Sequence, residues 1–291
     1  MIARIDNYDL VITYSWGNNN HGITGHIFEV IDYYWILKDH FNCCVLFAEN
    51  FTYSDIDRLL RAKYDFDENE IKRILDNCLF IYKPKIVITK NILFTDGGMH
   101  KLKDIIIKVE NKFMFSCSRF ESEGYIILED KRLYGRDNID YKKKILFDRL
   151  KRVGVSDNKT LLYLTNNCRR IDMDSFNELS QRGEEFLCIV NDMDNIYKHQ
   201  NFTYEIAPVD NLFERFNKYM YTPIERKWDC SPRFIAECKW YNRPVEYYNI
   251  DYWEEDLGLK YRVWDINHDF ESIQLKTGDE IVQILWEYIN D

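Results

Sequence analysis

The stretch that decides the fold is DLVITYSW, GNNNHGITG, HIFEVIDYYWILKDHF and NCCVLFAE, read continuously from residue 9 to residue 49. DLVITYSW (9 to 16) is apolar and β-branched with little alternation, the pattern of a strand buried on both faces. Glycine and asparagine fill residues 17 to 25, which is loop chemistry. From 26 to 41, apolar side chains recur at 27, 28, 30, 31, 34, 35 and 37, the stripe of a helix with one face on a core. NCCVLFAE (42 to 49) returns to strand chemistry. Strand, loop, helix and strand in such quick succession make a βαβ unit, and a βαβ unit implies a parallel sheet.

The same alternation continues in both directions. MIARIDNYDLVITYSW at the start reads as a strand, not as a basic region followed by an apolar signal core. SDIDRLLRAKYDFDENEIKRILDN (54 to 77) is a polar helical stretch, and PKIVITKNILF (84 to 94) and NKFMFSCSRF (111 to 120) are further strands. A basic helix is expected from about 141 to 152, ending near Gly154. A second series then begins, with strands at 161 to 167, 186 to 192 and 202 to 208 and helices at 172 to 182 and 211 to 219. TGDEIVQILWEYIND closes the chain as a helix. The expected fold is α/β, with two Rossmann-like domains, 1–152 and 153–276, facing across a cleft.

Composition narrows the function classes. A chain of 291 residues, 46% hydrophobic and 16% aromatic, can bury a substantial core. No run approaches eighteen apolar residues, so no membrane span and a cytoplasmic location are expected. The eight cysteines contain no Cys-x-x-Cys pair, which fits reduced thiols and no metal. A net charge of −10 weighs against an extended basic footprint on nucleic acid, though Lys142, Lys143, Lys144, Arg149, Lys151 and Arg152 cluster locally.

The sharpest functional signal is DCSPRFIAECKWYNRPVEYY, residues 229 to 248. Asp229 is followed after seven residues by Glu237, then by Arg243-Pro244-Val245 and an aromatic β-run. A helix from about Pro232 to Tyr241 would present free N–H groups and a positive dipole end, a ready anion site. At ~1.5 Å per residue the two acids lie up to ~12 Å apart, a span comparable with a nucleotide diphospho-sugar. One carboxylate could accept from sugar hydroxyls and the other from the ribose, with Ser231, Arg233 and the helix start on the phosphates. The plain alternative is an amphipathic αβ unit whose acids face solvent. This run resembles the donor-binding motif of GT-B glycosyltransferases, in which acid, seven residues and acid precede a turn and a Pro-Val strand. It departs from that pattern in having Asp at the first acid and Tyr241-Asn242-Arg243 before the proline.

The resemblance implies a sugar, glucose as the first expectation, moved from a UDP-sugar donor to an acceptor hydroxyl with no cofactor and no metal. Phage-encoded glucosyltransferases of hydroxymethylated pyrimidines in DNA are similar in their compact size. A glycan, protein or small-molecule acceptor stays open, as does a non-catalytic nucleotide-sugar-binding or interaction module. In this family a terminal helix often crosses back to the first domain, here residues 277–290. The loop with Gly17, Gly22 and Gly25 is spaced by five and three, unlike the dinucleotide fingerprint, and looks like the acceptor-side glycine loop. Arg169 and Arg170 follow the first strand of the second half, where forked guanidinium groups suit a leaving diphosphate. Asp96, Glu121, Glu123, His21 and His26 are the candidate bases for an inverting transfer, with Asp96 first because it directly follows its strand. Asp229 becomes the more important acid if configuration is retained. Lys239, Trp240 and Arg243 read as packing or surface.

Overall fold

All eleven pairings between named strands in the computed structural model are parallel, and they sort into three separate sheets. The structure describes residues 1–14, 25–48, 50–95, 106–116, 124–130, 146–154, 157–164, 171–194, 196–207, 209, 211–222, 233–248 and 278–290. The fold is α/β.

Nine strands belong to the first half: β1 (Ile2–Ile5), β2 (Leu10–Thr13), β3 (Cys43–Phe47), β4 (Cys78–Phe80), β5 (Ile86–Thr89), β6 (Asn91–Phe94), β7 (Ile106–Lys108), β8 (Asn111–Ser116) and β9 (Ile126–Asp130). The large sheet has the order β4-β3-β2-β6-β8-β9. Helices α1 (Gly25–Leu37), α2 (Tyr53–Lys63) and α3 (Glu68–Asp76) cover one of its faces. Along β2, Leu10 and Ile12 meet these helices while Val11 points to the other face. That other face is covered by the small sheet β1-β5-β7, whose Ala3, Ile5 and Val87 pack on Val11, Cys44, Leu46, Ile92 and Phe94. A doubly wound sheet carries helices on both sides; here a second sheet takes one of those places.

The small sheet arises because three strands each break in two. Residues 84 to 94, read as one strand, are β5 and β6 separated by Lys90, and the N-terminal strand is β1 and β2 separated by polar residues 6 to 9. An asparagine ladder marks the break. Asn91 Nδ2 donates to Asp9 O at 2.8 Å, and Asn111 Nδ2 donates to Asn91 Oδ1 at 2.9 Å and to Tyr288 O at 3.0 Å. Asn91 is buried, so its amide needs these partners.

The second half builds the five-stranded sheet β12-β11-β10-β13-β14 from β10 (Thr160–Tyr163), β11 (Phe186–Val190), β12 (Phe202–Ile206), β13 (Lys218–Tyr221) and β14 (Val245–Tyr247). α4 (Met173–Ser180) packs on one face and α5 (Arg233–Trp240) on the other. The α5 side shares one continuous apolar core with α1, α2 and the large sheet. The closing helix α6 (Gly278–Ile289) buries Ile281, Val282 and Leu285 in that core, with Trp286 against Phe41 and Tyr288 against Phe113.

Three helix readings need correction. The stretch 54 to 77 is two helices, because Thr52 with Asp55 and Asp67 with Glu70 each form a capping box that starts a new one. In the expected basic helix, residues 147–149 form a single 3₁₀ turn and Leu150 then pairs antiparallel with Tyr64; residues 141 to 145 lie outside the described residues. NLFERFNKY gives only a 3₁₀ turn at Leu212–Glu214 before β13. Asn211 is left-handed there, with φ 54°, and Phe213 and Phe216 both stack with Phe234, so aromatic packing outweighs helical periodicity.

Asn91→Ala leaves Asn111 and the Asp9 carbonyl short of partners in the strand break. The expected loss is about 1–3 kcal/mol in urea unfolding; an unchanged midpoint would show that the ladder holds nothing.

Candidate functional site

Ligands of open parallel sheets sit beyond the carboxyl ends of the strands where chain order reverses. In the large sheet the chain runs outward from β2 through β3 to β4, then from β6 through β8 to β9, so the reversal lies between β2 and β6. Their ends are tied by Thr95 N donating to Thr13 O at 2.9 Å. In the second sheet the reversal lies between β10 and β13. Four loops therefore leave the two reversal points, after Tyr14, Thr95, Leu164 and Thr222. Thr95 and Thr222 are buried, and their hydroxyls have no hydrogen-bond partner among the described residues, a condition they share with Thr89.

The helices that follow the two reversal points begin side by side. α1 follows the loop after β2 and α5 follows the loop after β13, and their first residues touch: a methyl group on Gly25 would lie 3.7 Å from Arg233 Cδ. Two helix starts thus meet, and the first N–H groups of a helix have no partner within it.

Behind this meeting point lies a buried ionic joint. Asp32 of α1, Arg233 and Glu237 of α5 are 0%, 4% and 1% exposed. Arg233 donates through Nη1 to Asp32 Oδ2 at 2.5 Å and through Nε to Glu237 Oε1 at 2.6 Å. Lys63, ending α2, donates to Glu237 Oε2 at 2.7 Å and stands 4.0 Å over the Phe28 ring. The Tyr64 hydroxyl donates to Asp32 Oδ1 at 2.7 Å and lies 3.3 Å from Arg233 Nη2. Two cations face two carboxylates, so the joint is neutral as a whole.

Its members titrate away from their ordinary values. Burial pushes the Asp32 carboxyl up, and Arg233 and Tyr64 only partly offset this. Burial also pushes Glu237 up, but Lys63 and Arg233 together outweigh it and hold that carboxyl below the usual value. Burial lowers the Lys63 ammonium despite Glu237. Burial opposes charge on Arg233 too, yet Asp32, Tyr64 and Glu237 hold it firmly protonated.

This geometry bears directly on the expected donor residues. Arg233, expected on the phosphates, and Glu237, expected on the ribose, have their side chains enclosed and occupied by protein partners. They hold α5 against α1 and α2. Gly17, His21, Asp96, Glu121, Glu123, Arg169, Arg170, Asp229 and Ser231 lie outside the described residues, while His26 falls within α1. Chain connectivity still ties them to strand ends. Gly17 and His21 follow β2, Asp96 follows β6, Glu121 and Glu123 follow β8, Arg169 and Arg170 follow β10, and Asp229 and Ser231 follow β13. Asp32, Lys63 and Tyr64 were missed by sequence reasoning. The signal for Asp32 was present, since Glu29 and Asp32 are carboxylates in an otherwise apolar helix and both are buried.

Among the described residues no group of His, Cys, Asp or Glu could hold a metal ion, and no helix is long and apolar enough to cross a membrane. No protein-family model, curated protein or solved structure matches the chain.

Arg233→Ala strands Asp32 and Glu237 without a shared cation, and should lower stability by about 3–5 kcal/mol in chemical unfolding. The pH dependence isolates Glu237. Its folded value is depressed, so its stabilisation is complete above the ordinary value of 4.5 and is lost as pH falls through the lower folded value. The stability gap between the native protein and Glu237→Gln should hold steady near neutrality and close below that point. Asp32, held high by burial, acts in the opposite sense, so the comparison must be between variants and not along the native curve alone. A gap that widened in acid would show that Glu237 is not the stabilising carboxylate.

Proposed function

We propose that the protein is a GT-B-like glycosyltransferase that moves a sugar from a UDP-sugar to an acceptor hydroxyl. The observation that carries this reading is the meeting, at their first residues, of α1 and α5, the helices that follow the reversal points of two parallel sheets. Most candidate residues of both halves follow, along the chain, the strands at or beside those points. In this reading Arg169 and Arg170 neutralise the departing diphosphate, and Asp229 and Ser231 take hydroxyl and phosphate oxygens beside the start of α5. Asp96 removes the acceptor proton in an inverting transfer, with Glu121, Glu123, His21 and His26 as the other bases. Arg233 and Glu237 act behind the site by fixing α5, whose first turn borders the donor. Positioning and charge stabilisation do the catalytic work, without a covalent nucleophile.

One observation favours a second reading. The second acid of the donor-like motif is engaged by Lys63 and Arg233, as expected of a non-catalytic interaction module that shares the αβ unit without its donor site.

Calorimetry with UDP-glucose and a donor-hydrolysis assay separate the two. Arg169→Ala and Arg170→Ala should each weaken donor binding by about 1.5–3 kcal/mol. Asp96→Asn should cut turnover by ~100-fold or more and leave donor affinity nearly unchanged. Binding without hydrolysis or transfer, on DNA containing hydroxymethylated pyrimidines or on simple sugars, would leave only a nucleotide-sugar-binding module. Absence of UDP-glucose binding would remove that donor from the proposal. NMR of the product anomer decides between Asp96 and Asp229 as the critical acid.

A further inference from the structure

The outer face of the small sheet carries three isoleucines in register. Ile2 of β1 pairs with Ile86 of β5, and Ile86 pairs with Ile106 of β7. Ile2 is 62% exposed and Ile106 56%, with Ile86 and Ile88 half-buried between them. The next row is Arg4, Ile88 and Lys108, and its two outer members are exposed cations. Lys85, also exposed, begins the turn into β5, where its N–H donates to Met1 O at 3.0 Å and its carbonyl accepts from Ile106 N at 2.9 Å. Arg4 meets Asp6 only in an exposed pair at 3.3 Å. No carboxylate among the described residues reaches Lys85 or Lys108 within ion-pair distance. This basic, apolar face belongs to a chain of net charge −10.

Both outer strands of this sheet also have an open edge. β1 and β7 each pair with β5 alone, so among the described residues one row of N–H and C=O groups on each has no strand partner. Protected edges are usually short, bulged or covered; this one is short, yet it is flanked by exposed isoleucine.

We propose that the β1 edge and the outer face beside it are a docking site for an extended segment of a partner protein whose every second residue is in turn apolar and acidic. Three features select this occupant. The face spans three strands about 4.8 Å apart and about three residues at 3.3 Å each, roughly 15 by 10 Å. That is far below the ~800 Å² per partner of a stable dimer, so a second copy does not find enough area here. A lipid surface cannot satisfy the open backbone groups of a strand edge. An added strand satisfies them, and its alternate side chains lie beside Ile2 and Arg4 on the outer face, apolar against the first and acidic against the second. Lys108, in the same row as Arg4, extends the same charge preference across the sheet.

The test uses the full chain and a fluorescein-labelled twelve-residue Val-Thr-Glu-Thr repeat, which brings Val and Glu in turn to one face, with a Val-Thr-Lys-Thr repeat of equal length as control. Anisotropy titration should show binding of the acidic peptide and at least about tenfold weaker binding of the basic one. Ile2→Glu and Arg4→Glu, both at exposed positions, should each weaken the acidic peptide at least about tenfold while leaving the circular dichroism spectrum unchanged. No binding, or equal binding of the two peptides, overturns the proposal and leaves Arg4 and Lys108 as guards of a short edge. Two further results would also overturn it. One is cosedimentation with phosphatidylserine vesicles that Ile2→Glu abolishes, which makes the occupant a membrane. The other is a dimer in sedimentation velocity that the same variant dissociates, which makes it a second copy.

Discussion

Asp32, Lys63, Arg233 and Glu237 bring four charges into the protein interior where α1, α2 and α5 meet, and the relative placement of the two halves depends on their mutual satisfaction. A lone buried ion of any of these kinds is costly by several kcal/mol, and paired ions seldom improve on a well-packed apolar contact. What such a joint supplies is selectivity of arrangement. Arg233 is bonded to a carboxylate on its own helix and to one on α1, so α5 has one seating in which both acids are answered. The apolar core around it is continuous from the large sheet to the second sheet and adds the bulk of the cohesion without choosing a register. Charge chooses the position, and hydrophobic burial holds it.

The layer order follows from how the strands are cut. An uninterrupted parallel sheet with helices on one side only would leave Val11, Leu46 and Phe94 facing water. Helices normally cover that side. Here the front segments of three strands fold back as a separate sheet and cover it, and the asparagines at the break satisfy backbone and side-chain groups where the ladder is interrupted. The cost of this solution is a sheet with two edges that no described strand covers, where a helical layer would have had none.

Much of this was legible in the sequence, for reasons that can be named. Strand β2, helix α1 and strand β3 declared themselves because burial on both faces and helical periodicity leave different residue patterns. The ends of α5 fell within a residue or so of the reading, since Pro232 before it and Asn242 in a left-handed conformation after it bound the helix. The breaks at Lys90 and around residues 6 to 9 were not legible, because β5 and β6 are both apolar and nothing local records that they belong to different sheets. Nor could spacing show where Glu237 points. Seven residues between two acids describe a motif, but only the packing of α5 on α1 decides that its carboxylate meets Lys63 and not a ligand. Tyr64 carried no signal at all, as a tyrosine in a polar helical stretch reads as surface.

The pairing of Ile2 with Ile86 also orders events in time. β1 leaves the ribosome first, yet its sole partner among the described strands is β5, which appears only after β2, β3 and β4 and the three helices that cover them. Until then the earliest strand has no ladder to join, while β2 can already pair with β3. The β2-β3-β4 part of the large sheet and its helices can thus form over an unfilled face, while the N-terminal segment waits for β5 before it joins a ladder.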